Sequence, residues 1–155
     1  MLISDPSMLK SSRLREAYTY WDAKRQNKLM PSRYDIDPVE IPPLLPYVIL
    51  IDVAREPVDF RYRLIGTQAC VILRGDFTGQ FFSKVPGNGK ESALWQGCDA
   101  VVGSKAPMYW QMPYVGPERS PHNYENVLLP LSNDGVNVTM IFKVISFERG
   151  PTAVQ

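Results

Sequence analysis

The stretch that decides the fold is residues 136–147, which read VNVTMIFKVISF. It is rich in β-branched and aromatic residues, as strands are. Successive side chains of a strand point to opposite faces of a sheet. The apolar residues therefore divide between two faces, with Val136, Val138, Met140, Phe142 and Val144 on one and Ile141, Ile145 and Phe147 on the other. Both faces of the sheet that holds this strand need to be covered.

The preceding stretches predict the neighbours of this strand. Residues 108–114 and 124–131 read as strands, and Asn133-Asp134-Gly135 supplies the residue types of a tight hairpin turn. The last third of the chain is thus predicted to be an antiparallel meander. Residues 47–53 predict a strand buried on both faces, and residues 60–65 predict its hairpin partner. Arginines alternate with apolar residues in that partner, so we expect it near an edge of the sheet.

Helical periodicity is clearest near the amino end of the chain. A helix is predicted over about residues 12–27, with an apolar stripe of Leu14, Ala17, Tyr18 and Trp21 at the spacing of one helix face. A short helix is predicted over about residues 38–45, with Asp37 as its N-cap and Glu40 reaching back to that cap.

The helices in the middle of the chain are expected to cover one face of the sheet. Residues 67–91 predict short helical turns, and residues 92–102 predict a longer helix with Gly103 just past its end. Because these helices can cover one face only, the stripe of the first helix, or a second subunit, is expected to cover the other.

Composition bounds the class of protein. The chain has 155 residues and a net charge of +1, so it is expected to form one domain with no overall bias toward nucleic acid or anionic membranes. Two cysteines and one histidine support neither a disulfide framework nor a structural zinc site. We find neither a signal peptide nor a membrane span in the sequence, and we expect a cytoplasmic protein without membrane insertion.

The order of the elements resembles the PAS domain, and short motifs strengthen the resemblance. In chain order these motifs are WDAKR (21–25), MPSR (30–33), IPPLLP (41–46), FRYRLIGT (60–67), DFTG (76–79), YVGP (114–117) and LPLS (129–132). They are similar to those of a bacterial family of short stand-alone PAS proteins. The resemblance runs from about residue 13 to residue 147.

The resemblance implies an α+β fold. Its core is a five-stranded antiparallel sheet with helices inserted between strands two and three. We predict an N-terminal helical extension over residues 1–46, a PAS core over residues 47–148 and a C-terminal tail over residues 149–155.

The resemblance also implies a function. We expect a non-catalytic sensor or adaptor in bacterial signal transduction, which couples ligand occupancy or partner docking to a protein interface. We expect no output segment after residue 147, and the expected partner is therefore another signalling protein such as a kinase or regulator. The family further implies a homodimer formed through the first helix, with Leu14, Tyr18 and Trp21 as candidate contacts.

No cofactor is predicted, although the interior is suited to a small organic ligand. Flavin photochemistry is disfavoured because the Asn-Cys-Arg-Phe type of motif is missing, and histidine-ligated haem is disfavoured because the long helix carries no histidine. The candidate pocket residues are Phe60, Tyr62, Trp95, Cys98, Tyr109, Met140 and Phe142. The same residue types also fill ordinary cores, so both interpretations stay open.

Two other classes of function are alternatives to the sensor. A small-molecule-binding enzyme would need acid/base groups such as Asp35, Glu40 or His122, but a capping box accounts for Asp37 and Glu40 without any ligand. A nucleic-acid-binding module would use Lys24, Arg25, Lys28 and Arg33, which a solvated helix end also explains. We therefore expect no nucleic-acid partner, no metal and no catalytic residues.

Overall fold

The computed structural model of the protein describes residues 1–113 and 122–149. Its helices and strands are α1 (Ser12–Arg25), β1 (Val48–Arg55), β2 (Val58–Ile65), α2 (Thr67–Leu73), α3 (Ala93–Ser104), β3 (Met108–Pro113), β4 (His122–Leu131) and β5 (Met140–Arg149). Short 3₁₀ turns lie at Pro6–Met8, Arg33–Asp35, Pro38–Glu40, Leu45–Tyr47 and Phe82–Lys84.

The five strands form one antiparallel sheet in the order β2-β1-β5-β4-β3. The hairpin of β1 and β2, the edge position of β2 and the meander of β3, β4 and β5 are as predicted. The helices α2 and α3 follow β2 and precede β3, so the expected α+β architecture is confirmed. The pairing places β5 in the centre of the sheet, and its side chains consequently have neighbours on both sides.

One face of the sheet, which we call the α1 face, is covered by the first helix. Ser11 caps α1 by accepting a hydrogen bond from the Leu14 amide at 3.3 Å. Tyr18 and Trp21 are 5% and 3% exposed, and both pack in one cluster with Phe142 of β5. The indole Nε1 of Trp21 donates to the Pro130 carbonyl at 2.8 Å.

The dimer contacts expected on α1 therefore need correction. Leu14, Tyr18 and Trp21 are buried against the sheet of their own chain. An apolar stripe that is already covered offers little surface to a second subunit. Of the two covers considered from sequence, the first helix of the same chain is the one found.

Prolines shorten the second predicted helix. In place of one helix over 38–45, the chain forms two 3₁₀ turns, Pro38–Glu40 and Leu45–Tyr47. Asp37 does cap the first of these turns, by accepting a hydrogen bond from the Val39 amide at 3.0 Å. The Pro42-Pro43 pair and Pro46 remove the amide donors that a continuous helix would need.

The connection between β4 and β5 is wider than the tight hairpin predicted at Asn133-Asp134-Gly135. It runs over residues 132–139, and the Asp134 carboxylate accepts hydrogen bonds from the amides of Val136 and Asn137 at 2.8 and 2.7 Å. Because these residues precede β5, they do not follow the alternation of the strand. Val136 is exposed, and Val138 packs on the face opposite to the one predicted.

The second face, which we call the α3 face, is covered by α2, α3 and the segment between them. Ser92 caps α3 by accepting a hydrogen bond from the Trp95 amide at 3.1 Å. The helix ends at Ser104, two residues beyond the predicted end at Val102, and its C-cap Lys105 adopts a left-handed φ of 57°. The buried side chains of α3 are Trp95, Cys98 and Val101.

Gly97 sets the closeness of α3 to β3. A Cβ atom at Gly97 would overlap the indole ring of Trp110 on β3. We expect Gly97→Ala to lower the free energy of unfolding by about 1–2 kcal/mol, because the overpacking exceeds the gain in helix propensity. Chemical denaturation measures this change. Gly103→Ala is the matched control, since a Cβ there meets no atom, and equal or higher stability of Gly97→Ala relative to that control would contradict the close packing.

Candidate functional site

Four of the seven predicted pocket residues pack together on the α3 face. Phe60, Tyr62, Trp95 and Cys98 belong to one buried cluster. The rings of Phe60 and Trp95 meet edge to face with centroids 5.1 Å apart, and Phe82 lies 4.6 Å from the ring of Tyr62. These close aromatic contacts make a filled core at this end of the face.

The other three predicted residues lie on the opposite side of the sheet. Tyr109, Met140 and Phe142 pack in the cluster on the α1 face. The seven candidate pocket residues are therefore divided between the two faces of the sheet and do not line one common space. The reason is the alternation of side chains along a strand, which sends Phe142 to one face and its neighbour Ile141 to the other.

A cavity of about 350 Å³ lies on the α3 face, beside the aromatic cluster. This volume is at the low end of the range of roughly 300–1,000 Å³ typical of ligand pockets. Its lining is Ile72, Leu73, Gly87, Asn88, Ser92, Ala93, Leu94, Tyr124, Asn126, Lys143 and Ile145. None of the seven predicted residues is among them, and the cavity is mostly apolar with a few polar groups.

Lys143 is the charged residue of this lining. It sits on the central strand β5, directly opposite Ile49 of β1 and Leu128 of β4. Its neighbours along the same face of β5 are Ile141 and Ile145, both buried. The lysine is only 6% exposed. A cation among aliphatic side chains in the middle of a sheet is costly, so its retention points to a role beyond packing.

Burial shifts the pKa values of Lys143 and of Cys98, a thiol that interacts electrostatically with it. Burial lowers the pKa of Lys143 to about 8, with a smaller opposing influence from Cys98 on α3. Burial raises the pKa of the Cys98 thiol to about 12. At pH 7 the thiol is therefore neutral, and most of the lysine is protonated. The face thus carries a positive charge that this thiol does not neutralise.

Asn126 lies beside Lys143 in the lining and is 4% exposed. Within residues 1–113 and 122–149, no hydrogen bond or ion pair engages either the Asn126 amide or the Lys143 ammonium. Buried polar groups are normally paired, by protein, water or a ligand. The Asn126 amide and the Lys143 ammonium can therefore donate hydrogen bonds to a molecule in the cavity.

A hydrogen bond ties the cavity to the aromatic cluster. The Asn88 amide donates to the hydroxyl of Tyr62 at 2.6 Å. Tyr62 is fully buried, and burial raises the pKa of its phenol far above the physiological range. The tyrosine is consequently a neutral hydrogen-bonding group, which holds the cavity-lining Asn88 in place.

The basic cluster near the end of α1 is compensated within the chain. Lys24 pairs with Glu40 at 2.8 Å, and Lys28 pairs with Asp35 at 3.1 Å. Arg25 likewise pairs with Asp22 at 2.6 Å, and Arg33 donates to the Ile36 carbonyl at 3.0 Å. These contacts place acids beside the cations, which weakens the attraction that a nucleic-acid phosphate would experience.

The carboxylates considered for acid/base chemistry have structural partners. Asp35 completes a capping box with Ser32, and the hydrogen bond from the Ser32 amide holds the pKa of Asp35 below its usual value. Glu40 pairs with Lys24 and also accepts from the Tyr20 hydroxyl at 2.9 Å, which differs from the predicted cap. His122 is the first residue of β4, and its side chain lies outside the described part of the protein.

Across the described ranges 1–113 and 122–149, no three His, Cys, Asp or Glu side chains gather as a metal site would require. In the same ranges no helix has the length and apolar character needed to traverse a bilayer. The YVGP motif at 114–117 lies outside the described residues.

Sequence reasoning missed the polar residues of the cavity. The sequence could have indicated Lys143, because this charged residue lies between Ile141 and Ile145 on a strand face that was predicted to be buried. Asn126 likewise interrupts the strand 124–131. Their proximity to Asn88 was not readable, because it depends on how the segment between α2 and α3 folds across the sheet.

The comparison with protein families agrees with this architecture. A family model described as PAS domain matches residues 9–145, which is most of the chain. No curated protein and no solved structure matches the chain. The match spans α1 and nearly all of the sheet, together with the helices that enclose the cavity. The chain therefore belongs to the PAS domain family.

Proposed function

We propose that the protein is a non-catalytic sensor or adaptor in bacterial signal transduction. It couples occupancy of the α3-face cavity, or docking of a partner, to a change at a protein interface. The observation that carries the proposal is the cavity between the sheet and its helical cover. Membership of the PAS domain family supports a sensory or signalling role for this chain. Binding sites for small molecules are usually mostly apolar with a few polar groups, as this cavity is.

The position of the cavity supports a mechanism of signalling. Ile72 and Leu73 come from α2 and Leu94 from α3, whereas Lys143 and Asn126 come from the sheet. A ligand that contacts both layers binds one arrangement of helices and sheet better than others, and so shifts the population toward it. The outer surfaces of α2 and α3 then present a changed interface to a signalling partner such as a kinase or regulator.

The protonation of the buried Cys98 thiol on the α3 face also supports binding without turnover. The Cys98 thiol keeps its proton at physiological pH, because burial raises its pKa to about 12. A protonated thiol is a poor nucleophile. Both cysteines of the chain are free thiols, and we therefore include a reducing, cytoplasmic compartment in the proposal.

We retain the homodimer in the proposal, formed through surfaces other than the apolar stripe of α1. Light scattering of the full chain measures its mass in solution. A dimer whose mass is unaffected by conservative changes at Tyr18 is expected, because Tyr18 packs inside the chain. A monomer over the accessible concentration range would contradict this part of the proposal.

A cavity-filling variant tests the sensor. We expect a library of small organic compounds to contain binders that move the amide NMR signals of Leu73, Leu94 and Asn126, which line the cavity. Leu94→Trp should weaken such binding at least about ten-fold, because the larger side chain occupies the space. Val71→Trp is the matched control, since Val71 is on the same helical layer but is 69% exposed and does not line the cavity.

Native mass spectrometry of freshly purified protein completes the test. A mass adduct that is lost on denaturation would support a ligand-binding sensor. No adduct, together with no compound that moves the three signals, would contradict the ligand-sensing branch and leave partner docking as the remaining one.

A further inference from the structure

The α3-face cavity combines one buried positive charge with apolar walls. Lys143 and Asn126 lie at the sheet side of the cavity and are each more than nine-tenths buried. The opposite side is formed by Ile72, Leu73 and Leu94 of the helices. No carboxylate lies in this lining within the described residues. An occupant thus meets a cationic end and an aliphatic end.

We propose that this cavity binds a small organic monocarboxylate, with its carboxylate on Lys143 and Asn126 and its apolar body against α2 and α3. The proposal rests on the sensor function proposed above and names the class of its ligand. A carboxylate oxygen accepts from both the ammonium and the amide, which otherwise lack partners among the described residues.

Charge balance selects a monoanion. One ammonium neutralises one negative charge, so the bound pair enters the low-dielectric space with no net charge. A dicarboxylate or a phosphate dianion would bring a second negative charge with no matching cation in the lining. The volume of about 350 Å³ further limits the ligand to a small molecule.

Protonation of the site supports the same class of ligand. Burial lowers the pKa of Lys143, but the group remains mostly cationic at pH 7. The other titratable groups that line the cavity or act on it are Tyr124 of β4, Cys98 of α3 and Tyr62 of β2 behind Asn88. A bound carboxylate stabilises the ammonium form of Lys143. Because Lys143 loses its charge as the pH rises past 8, the affinity of the protein for a carboxylate should fall over that range.

The test compares an acid with its neutral isostere on the full chain. Isothermal titration at pH 7 uses hexanoate and hexanamide, which have the same length but differ in charge. We expect hexanoate to bind about 10–100-fold more tightly than hexanamide, the ratio that one charge-assisted hydrogen-bonded contact typically supplies. Raising the pH to 9.5 should weaken hexanoate binding and leave hexanamide binding unchanged.

Two variants test whether Lys143 is responsible for the preference for hexanoate over hexanamide. Lys143→Met should abolish the preference for hexanoate, so that the two ligands bind with a ratio near one. Lys90→Met is the matched control, because Lys90 is exposed, lies outside the lining and loses the same charge. Circular dichroism confirms that each variant is folded. A preference that survives in Lys143→Met would overturn the assignment of the carboxylate site.

The remaining outcomes separate this proposal from the sensor itself. Equal binding of both ligands to the unaltered protein, or no binding of hexanoate, overturns the carboxylate proposal. If neutral compounds still move the signals of the lining residues, the sensor function stands and only the ligand class is wrong. If no compound of either kind binds and no adduct co-purifies, the carboxylate proposal and the ligand-sensing branch of the proposed function both fail, and partner docking remains.

Discussion

Trp21→Ala is expected to lower the free energy of unfolding by about 3–5 kcal/mol, as truncation of a buried tryptophan commonly does. Trp21 is 3% exposed and joins α1 to the sheet through the cluster that contains Phe142. Its indole also donates to the Pro130 carbonyl at 2.8 Å, and that acceptor would be left without this donor. Equilibrium denaturation with urea measures the loss.

Two companion variants make this result specific. Trp21→Phe keeps most of the packing and removes the hydrogen bond, so it should cost about 1–2 kcal/mol and remain measurable if the alanine variant fails to fold. Tyr34→Ala should leave stability within about 0.5 kcal/mol, because Tyr34 is 92% exposed. A Trp21→Ala protein as stable as Tyr34→Ala would show that α1 does not cover the sheet in solution.

Lys143→Met is expected to raise the free energy of unfolding at pH 7 by about 3 kcal/mol. Burial lowers the pKa of Lys143 from 10.5 to about 8, and the folded protein is destabilised by the corresponding free energy while the lysine is charged. Methionine fits a similar volume without a charge among Ile49, Leu128 and Ile145. Lys90→Met, an exposed control, should change stability by less than about 0.5 kcal/mol.

The pH dependence of this difference has a definite sign. Below pH 8 the lysine is protonated in both the folded and unfolded states, so the destabilisation is fully present. Between pH 8 and 10.5 the unfolded chain holds a proton that the folded chain has released, so the stability of the lysine form rises with pH. The gap between Lys143→Met and the unaltered protein should therefore narrow from pH 7 to pH 9.5.

Comparison of the two proteins removes other titrations from this measurement. The Cys98 thiol has a raised pKa mainly because of burial, and it is present in both proteins. A methionine variant that is no more stable at pH 7, or a gap that does not change with pH, would contradict an uncompensated buried ammonium. Greater stability combined with lost hexanoate preference would show that Lys143 serves binding at a cost to folding.

Much of the fold was readable from local sequence patterns. The alternation of Ile141, Phe142 and Val144 in β5 indicated a strand covered on both faces, and the structure confirms it. The stripe that contains Trp21 indicated the helix that covers one face. These patterns are reliable because the side-chain period of a helix or strand follows from backbone geometry alone.

Only part of the candidate site could be predicted from the sequence. Aromatic residues such as Phe60 and Trp95 were expected around a pocket, but they pack against each other as a filled core. Composition does not distinguish a filled interior from a lined one, because both use the same side chains. The cavity lies instead where Lys143 and Asn126 of the sheet face the segment that carries Asn88.

The sequence by itself determined most of the element types, the antiparallel meander and the need to cover both faces of the sheet, since each follows from short-range periodicity. Tertiary structure alone decided which residues share a face at long range. It placed Tyr109 and Phe142 away from Cys98, buried Trp21 within its own chain, and brought Lys143 to an unfilled space under α2 and α3. The physical reason is that strand order, register and helix position set these contacts, and they join residues far apart in the chain.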